Sequence, residues 1–216
     1  NSLEIDKEVN FYRKYSIKDF NNFDEALSIS PYITFISTPS ALHFEHAKKA
    51  LLNKSHVYLE KPATLSSKEC NYLQELSKEL DLRVSVSFQL RFTPWVKKVK
   101  HIIESKNYGR PLIISSKVSE FMPDWHKYED YSKSYASRKE LGGGVVFTQI
   151  HEIDYLLHLF KEISFHSSLV GKFSDLNIDV EDTSLTLLKT YSENFEIPII
   201  LRQDYLGQPK SRNLEI

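Results

Sequence analysis

This chain of 216 residues has a single cysteine and almost no net charge. Its single cysteine, Cys70, excludes an internal disulfide framework and a cysteine-rich zinc site, and favours a reducing compartment. The 28 Lys and Arg residues balance 29 Asp and Glu residues, so the basic surface of proteins that bind nucleic acid or anionic membranes is missing. No apolar run approaches the ~20 residues of a membrane span, and the first residues lack a signal-peptide pattern. We expect a cytoplasmic protein without nucleic-acid or membrane partners.

Hydrophobic residues are plentiful, at 41%, and their spacing predicts an α/β fold with two sheets. Early in the chain, short apolar runs alternate with helical segments, which is the pattern of a parallel sheet; Asn22 and Ser66, each with Glu three residues later, predict helix starts. One long helix is predicted between the glycines 142–144 and Phe160, followed by an antiparallel sheet. The predicted strands are residues 32–37, taken as buried, 56–59, 83–88, 112–120, 164–173, 183–191 and 195–203.

Two turns at strand ends are candidate ligand-binding positions, because ligands of open α/β sheets bind at the carboxyl ends of strands. A partly desolvated Lys61 in the turn 60–62 would have a lowered pKa and could donate a hydrogen bond to a substrate hydroxyl. The alternative is an ordinary exposed loop lysine. Thr38 and Pro39 end the preceding strand, where a phosphate or ribose could meet the Thr38 hydroxyl, although such residues also fill turns for structural reasons.

Four polar residues share one face of the predicted long helix: His151, Asp154, Tyr155 and His158. His151 is a candidate general base because its ordinary pKa lies near neutrality, and Asp154, one turn on, could orient its ring. A zinc-protease helix needs a second histidine where Tyr155 stands, so we predict no metal site. The structural alternative is a histidine that caps or solvates the helix after a glycine turn.

Two further segments bear on the site. The glycines 142–144 come too late, and after no strand, for a dinucleotide-binding turn, so they predict a turn or a close backbone approach before the helix. Trp125 and His126 belong to an aromatic, charged loop suited to stacking on sugar rings and bonding hydroxyls. The same loop could equally pack on its own domain.

Five motifs in this order resemble the Gfo/Idh/MocA family of nicotinamide-dependent sugar and polyol oxidoreductases. They are ISTPSALH at 36–43, EKP at 60–62, QLRF at 89–92, GGG at 142–144 and HEID at 151–154. The resemblance implies a Rossmann-type NAD(P)-binding domain, here residues 1–92 with an incomplete parallel sheet. It also implies an α+β substrate and oligomerisation domain, here residues 93–216, whose open, mainly antiparallel sheet often forms homo-oligomers.

The resemblance also implies an activity and roles for individual residues. NAD or NADP is the implied cofactor, and a hydroxyl of a sugar, sugar derivative or polyol is oxidised. His151 would remove the proton, Lys61 would steady the oxygen near the nicotinamide, and hydride would pass to the cofactor. The implied cofactor contacts are Thr38, Pro39, His43, Glu60, Lys61, Gln89 and Arg91, and the predicted substrate contacts are Trp125, His126 and Asp154.

Two departures from the family pattern shape the expectations. The aspartate that usually precedes the histidine by about one turn is missing from residues 147–149, which read Phe-Thr-Gln. Residues 1–20 contain no glycine, so the phosphate-binding turn is absent and we expect a chain truncated at both ends. The alternatives to a dehydrogenase are a non-catalytic relative that binds a sugar or a partner, and an enzyme like the family's NAD-dependent glycosidases.

Overall fold

Two β-sheets flanked by helices make up the chain, as seen in a computed structural model that describes residues 14–160 and 162–216. We expected the chain to lack a first strand and a glycine-rich turn; most of the segment concerned, residues 1–13, lies outside the described residues. The α-helices are α1 (Phe23–Leu27), α2 (His43–Leu52), α3 (Ser67–Glu79), α4 (Pro94–Ser105), α5 (Val145–Thr148) and α6 (His151–Leu159). The strands are β1 (Ile33–Ile36), β2 (His56–Leu59), β3 (Val84–Val86), β4 (Ile114–Ser119), β5 (Ser164–Gly171), β6 (Thr183–Ser192), β7 (Phe195–Asp204) and β8 (Ser211–Glu215).

The first sheet is parallel, in the order β1-β2-β3, as predicted. Helices α1 and α3 begin where the sequence predicts: the Asn22 side chain accepts a hydrogen bond from the Glu25 backbone N–H, and the Ser66 side chain accepts one from the Glu69 backbone N–H. Helices α2 and α3 pack on one face of the sheet, where they form a core with Ile36, Val57 and Leu59. The prediction that strand 32–37 is buried is therefore half wrong, because no described helix covers the opposite face, which exposes Phe35.

The second sheet is mixed and mainly antiparallel, in the order β5-β6-β7-β4-β8, which confirms the predicted second layer. Strands β4 and β7 are the parallel pair, and the other neighbours run antiparallel. Helices α4 and α6 cover one face, and the core between them and the sheet contains Val96, Tyr155, Leu156, Ile114 and Ile199. Strand β8 was not predicted, because its Ser-Arg-Asn-Leu-Glu sequence lacks an apolar run.

The predicted long helix before Phe160 is wrong in one respect: it is two helices, interrupted at Gln149. In a continuous helix the Thr148 carbonyl would accept from the Glu152 N–H. Instead the Lys61 ammonium donates to that carbonyl at 2.6 Å, and the Glu152 N–H turns to the Gln149 carbonyl at 3.4 Å. The Gln203 side-chain Nε2 also donates a hydrogen bond to the Gln149 carbonyl, at 2.8 Å. Side chains from distant segments thus take the backbone acceptors that helix continuation needs.

Within the described part of the chain, no helix is both long and apolar enough to cross a membrane. The same residues hold no group of three or more His, Cys, Asp or Glu side chains placed to bind a metal ion.

Candidate active site

The three parallel strands end in one row, which gathers the predicted turn residues at one edge of the sheet. Ile36 pairs with Leu59, and Leu59 pairs with Val86, so the segments that follow them lie side by side. Lys61 leaves this edge after β2, and Phe88 leaves it after β3. In open α/β sheets this is the edge where ligands bind.

Lys61 is half-buried and reaches from this edge to the break between α5 and α6. Its Nζ donates a hydrogen bond to the Thr148 carbonyl oxygen at 2.6 Å. Burial lowers the pKa of Lys61 below its ordinary value, against the opposing effect of the Glu60 and Glu152 carboxylates, which raise it. The prediction of a partly desolvated lysine is thus confirmed, and the alternative of an ordinary exposed loop lysine is wrong.

His151 begins α6 beside Lys61, with only 7% of its surface exposed. Its ring meets the edge of Phe88 at a centroid distance of 6.2 Å, and its Nδ1 has no hydrogen-bond partner in the described chain. Burial, followed by the positive charges of Lys61 and Arg212, lowers the pKa of His151 to about 4. This pKa lies well below the ordinary near-neutral value, so the imidazole is uncharged at neutral pH.

Asp154 pairs with Arg91 and not with His151. The Arg91 Nε donates to the Asp154 Oδ2 at 2.8 Å, and Nη2 of the same guanidinium donates to Oδ1. This hydrogen bond and the Asp154 charge raise the pKa of Arg91. The bidentate pair joins the segment after β3 to helix α6, and Asp154 is unavailable to orient the His151 ring.

His43 connects the two turns at the strand ends from inside the fold. Its Nε2 lies 2.9 Å from the Thr38 carbonyl oxygen and its Nδ1 lies 2.7 Å from the Pro62 carbonyl oxygen. Both ring nitrogens are therefore occupied by backbone, so His43 positions these turns and offers no ring nitrogen to a ligand. The Thr38 hydroxyl lies 3.3 Å from His46 Nδ1, and Gln89 is exposed near Ser87.

The two predicted substrate contacts from the aromatic loop pack on their own segment of the chain. Trp125 packs edge-on against Tyr205 with ring centroids 5.2 Å apart, within the core of its own domain. His126 is exposed, bonds Glu129 at 2.7 Å and stacks on Tyr128. Among the described residues, neither makes a hydrogen bond or ring contact with Lys61 or His151.

Sequence reasoning missed two charged residues of this region, Glu152 and Arg212. Glu152 has 0% of its surface exposed, and its Oε1 lies 2.7 Å from Nε of Arg212 in β8. Burial raises the pKa of Glu152 to about 7, against the opposing effect of Arg212. The one available signal was a glutamate directly after His151 in an apolar helix. Nothing local marks Arg212, which lies 60 positions farther along the chain.

The glycines before α5 form the predicted turn and close approach. Gly142 has a φ of +79° and Gly144 a φ of +107°, both in the region that favours glycine. A Cβ on Gly142 would lie 2.9 Å from the Ser40 Cβ and 3.0 Å from the Ala41 nitrogen. The turn before α5 is thus packed directly against the segment that starts α2.

We expect Gly142→Ala to destabilise the protein by about 1–3 kcal/mol, because it adds a strained φ and an overlap with backbone. Gly109→Ala is the matched control, since Gly109 has a φ of +84° but nothing within 4 Å of an added Cβ. Urea denaturation measures both free energies of unfolding. Equal losses in the two variants would contradict a packing role for Gly142.

Comparisons with known proteins agree with this architecture. The model described as "Oxidoreductase family, NAD-binding Rossmann fold" matches residues 4–88, and the model of the GFO/IDH/MocA C-terminal domain matches residues 96–195. The chain belongs to the GFO/IDH/MocA oxidoreductase family. The resemblance inferred from the five motifs is thereby confirmed.

Two curated proteins are among those similar to this chain. Glucose-6-phosphate 3-dehydrogenase of Bacillus subtilis is 27% identical over 184 residues, which are 85% of this chain and 51% of the relative. Inositol 2-dehydrogenase of Salmonella paratyphi B is 25% identical over 183 residues, which are 79% of this chain and 51% of the relative. The chain therefore spans about half the length of these relatives.

Two solved structures show the same fold. The WlbA dehydrogenase of Bordetella pertussis, solved with NADH and UDP-GlcNAcA, has a TM-score of 0.81 at 20% identity, covering 94% of this chain and 62% of that one. An inositol dehydrogenase homolog of Azotobacter vinelandii, solved with NAD+, has a TM-score of 0.80 at 14% identity, covering 95% of this chain and 56% of that one.

The residues at the strand ends fit one half of a nicotinamide dinucleotide. A half-buried ammonium and a buried histidine with an unpaired Nδ1 stand beside the edge where a GFO/IDH/MocA Rossmann domain binds its cofactor. The pyrophosphate half has no counterpart here, because none of the glycines in the described residues follows β1, β2 or β3.

Proposed function

We propose that the full-length protein is an NAD(P)-dependent oxidoreductase that acts on a hydroxyl of a sugar, sugar derivative or polyol. The observation that carries this proposal is the hydrogen bond of Lys61 just before His151: the half-buried ammonium donates to the Thr148 carbonyl at 2.6 Å, three residues before a buried imidazole whose pKa is lowered by burial and then by the Lys61 charge. The names of the two curated relatives, a sugar-phosphate dehydrogenase and a polyol dehydrogenase, support the substrate class.

In the proposed mechanism a bound nicotinamide supplies the hydride acceptor. His151, uncharged because its pKa is lowered to about 4, accepts the hydroxyl proton at Nε2. Lys61 donates one N–H to the Thr148 carbonyl. Its other N–H groups can donate to the substrate oxygen and stabilise the negative charge that develops on that oxygen. Burial and the positive charge of Lys61 disfavour a protonated His151, so the imidazolium that forms favours passing its proton on.

The remaining sites and partners are parts of the same proposal. We divide the chain at residues 92 and 93 and place the protein in the cytoplasm. Cofactor contacts come from the strand-end turns, with His43 and Arg91 acting through the residues they hold, and Trp125 and His126 contact substrate from the aromatic loop. The proposed cofactor contacts on these turns are Thr38, Pro39, Glu60, Lys61 and Gln89.

Nicotinamide fluorescence tests the cofactor and substrate class together. The full-length protein is titrated into NADH and NADPH, and reduction of NAD+ and NADP+ is then followed with a panel of sugars, sugar phosphates and polyols. We expect saturable binding of one cofactor and turnover with at least one member of the panel. Failure to bind either cofactor contradicts the proposal.

A non-catalytic binding protein is the second candidate, because Phe147, Thr148 and Gln149 supply no acid before His151. In the described structure the Gln149 side chain donates to the Asp204 carbonyl at 3.1 Å, so this side chain has a structural role. Such a protein would bind a sugar without turnover, and its binding would be insensitive to Lys61→Ala.

We also propose that the protein forms homo-oligomers through the outer face of its second sheet. Leu169, Leu185, Leu187 and Ile200 line one exposed apolar surface on that face, which we call the outer-sheet patch. An exposed apolar surface of this kind is typical of a protein interface.

Leu187→Glu should dissociate the oligomer, because it places a charge in the outer-sheet patch. We expect the dissociation constant to rise at least ~10-fold. Light scattering after gel filtration measures the mass of the full-length protein. Leu157→Glu on helix α6 is the control, because Leu157 is 49% exposed and Leu187 is 45% exposed. If Leu187→Glu has the same mass as the unmodified protein, the assignment of this interface is wrong.

A further inference from the structure

Two pairs of side chains meet where the segment after β3 packs against α6. Phe88 directly precedes a 3₁₀ turn, Gln89–Phe92, in which Arg91 donates its backbone N–H to the Phe88 carbonyl at 3.2 Å. His151 and Asp154 are likewise three residues apart, on α6. Residues with this spacing share one side of a 3₁₀ turn or one face of a helix, so each pair presents its two side chains together.

Each side chain of one pair contacts a side chain of the other. The rings of Phe88 and His151 are nearly perpendicular, at 79°, with centroids 6.2 Å apart, which is an arrangement that aromatic rings prefer. Arg91 donates hydrogen bonds to both carboxylate oxygens of Asp154, and its guanidinium carbon lies 5.3 Å from the centre of the Phe88 ring. The four side chains therefore form a closed ring of contacts, which we call the aromatic clamp.

The orientation of the His151 ring depends on packing, because no hydrogen bond to its Nδ1 supplies it. This nitrogen is buried and unpartnered in the part of the chain that the structure describes. A hydrogen bond at one ring nitrogen ordinarily sets the state of the other, and Asp154, the nearby carboxylate, is held by Arg91 instead. The perpendicular contact with Phe88 is thus the interaction that fixes the ring from the side of the first sheet.

We propose that Phe88 is a positioning residue that orients the His151 imidazole, and that the Arg91–Asp154 pair holds Phe88 in place for this purpose. The ion pair prevents the segment after β3 from sliding along α6, and the guanidinium covers the face of the Phe88 ring. That the oriented imidazole serves as a base rests on the proposed function. The orientation itself does not.

The aromatic clamp also keeps water from the imidazole. Only 7% of the His151 surface is exposed, and burial lowers its pKa more than the charges of Lys61, from the end of β2, and Arg212, from β8. A smaller side chain in place of the Phe88 ring admits water on one side and leaves both charges where they are. The pKa of His151 should then rise from about 4 towards its ordinary value.

Nuclear magnetic resonance of the full-length protein, labelled with ¹³C-histidine, tests the clamp without any turnover. The His151 signal is identified by its loss in His151→Gln and is followed as the pH is varied. We expect Phe88→Leu to raise the pKa of His151 by about 1 unit and to remove the chemical shift that the Phe88 ring causes in the His151 ring protons. Phe88→Tyr, which keeps the ring, should preserve both. Arg91→Gln, which removes the ion pair, should change both in the same direction as Phe88→Leu.

Phe92→Leu is the matched control, because it makes the same substitution on the same turn at a side chain that is 72% exposed. It should leave the His151 signal unchanged. Circular dichroism checks the folding of each variant, and a nuclear Overhauser effect between the Phe88 and His151 rings checks their contact in the unmodified protein. The role of Phe88 is wrong if this effect is absent, if folded Phe88→Leu leaves the titration unmoved, or if Phe92→Leu shifts it equally. An unmoved titration in folded Arg91→Gln overturns the role of the ion pair.

Turnover separates this inference from the proposed function. If the protein is a dehydrogenase, Phe88→Leu should lower kcat by about 10-fold and leave KM within about twofold, because the direction of the base matters in the transition state. The acidic limb of the kcat profile should move to higher pH by the same amount as the His151 titration. A shifted titration in a protein without turnover contradicts the dehydrogenase and supports the role of Phe88. Full turnover of Phe88→Leu with an unshifted titration does the reverse.

Discussion

Lys61→Ala should lower kcat/KM for the oxidised hydroxyl by about 10²–10⁴-fold, the range typical for loss of a group that stabilises charge or moves a proton in the transition state. The lysine is the group that carries positive charge to the strand-end edge while bonded to the Thr148 carbonyl at 2.6 Å. Steady-state kinetics of the full-length protein with its substrate measure the change.

Lys68→Ala is the control for this experiment, since Lys68 is an exposed residue in the first turn of α3. It should stay within about threefold of the unmodified protein, a difference of well under 1 kcal/mol. The melting temperature of Lys61→Ala must be recorded, because losing the bond to Thr148 is expected to cost about 1 kcal/mol of stability. A folded Lys61→Ala variant that keeps full activity would exclude a catalytic lysine.

The second large effect concerns the dependence of the free energy of unfolding on pH. His151 and Glu152 change this free energy in opposite directions as the pH rises. The folded pKa of His151 is lowered from 6.5 to about 4, so its contribution to stability is present above pH 6.5 and is lost as pH falls towards 4. The folded pKa of Glu152 is raised from 4.5 to about 7, so its contribution is present below pH 4.5 and is lost as pH rises towards 7. Each effect amounts to about 3 kcal/mol. Between pH 4.5 and pH 6.5 the two slopes nearly cancel.

Single substitutions should reveal each slope. Glu152→Gln leaves the histidine term, so its free energy of unfolding should rise by about 2 kcal/mol, relative to the unmodified protein, between pH 4.5 and pH 6.5. His151→Gln leaves the glutamate term and should show a relative fall of similar size. Urea denaturation at several pH values measures both. Parallel pH profiles for all three proteins would refute the opposing pKa shifts.

The sequence predicted local features of this fold well because short-range patterns determine them. The β-branched run at β1 and the capping serine of α3 each act within a few residues. The family motifs likewise predict Lys61 and His151 as site residues, and the fold places Lys61 and the Phe88 ring that contacts His151 at the same edge of the parallel sheet. These predictions needed no knowledge of distant contacts.

Interactions between distant segments account for the failures. The break at Gln149 depends on Lys61 and Gln203, which lie 88 and 54 positions away and take carbonyls that a helix would use. Arg91 forms an ion pair with Asp154, which lies 63 positions away, so the predicted pairing of Asp154 with His151 does not form. Burial by tertiary packing lowers the pKa of His151, and no residue pattern reveals that burial.

The turn that precedes the two short helices restricts which length changes this protein tolerates during evolution. Gly142 is fixed against Ser40, and the Thr148 carbonyl is fixed to Lys61, so the stretch between them is anchored at both ends. One inserted residue would rotate the following helix by about 100° and carry His151 away from Lys61. Insertions and deletions should therefore be excluded between residues 142 and 151 and accumulate in exposed loops such as residues 106–110, where the spacing between anchored groups is free to vary.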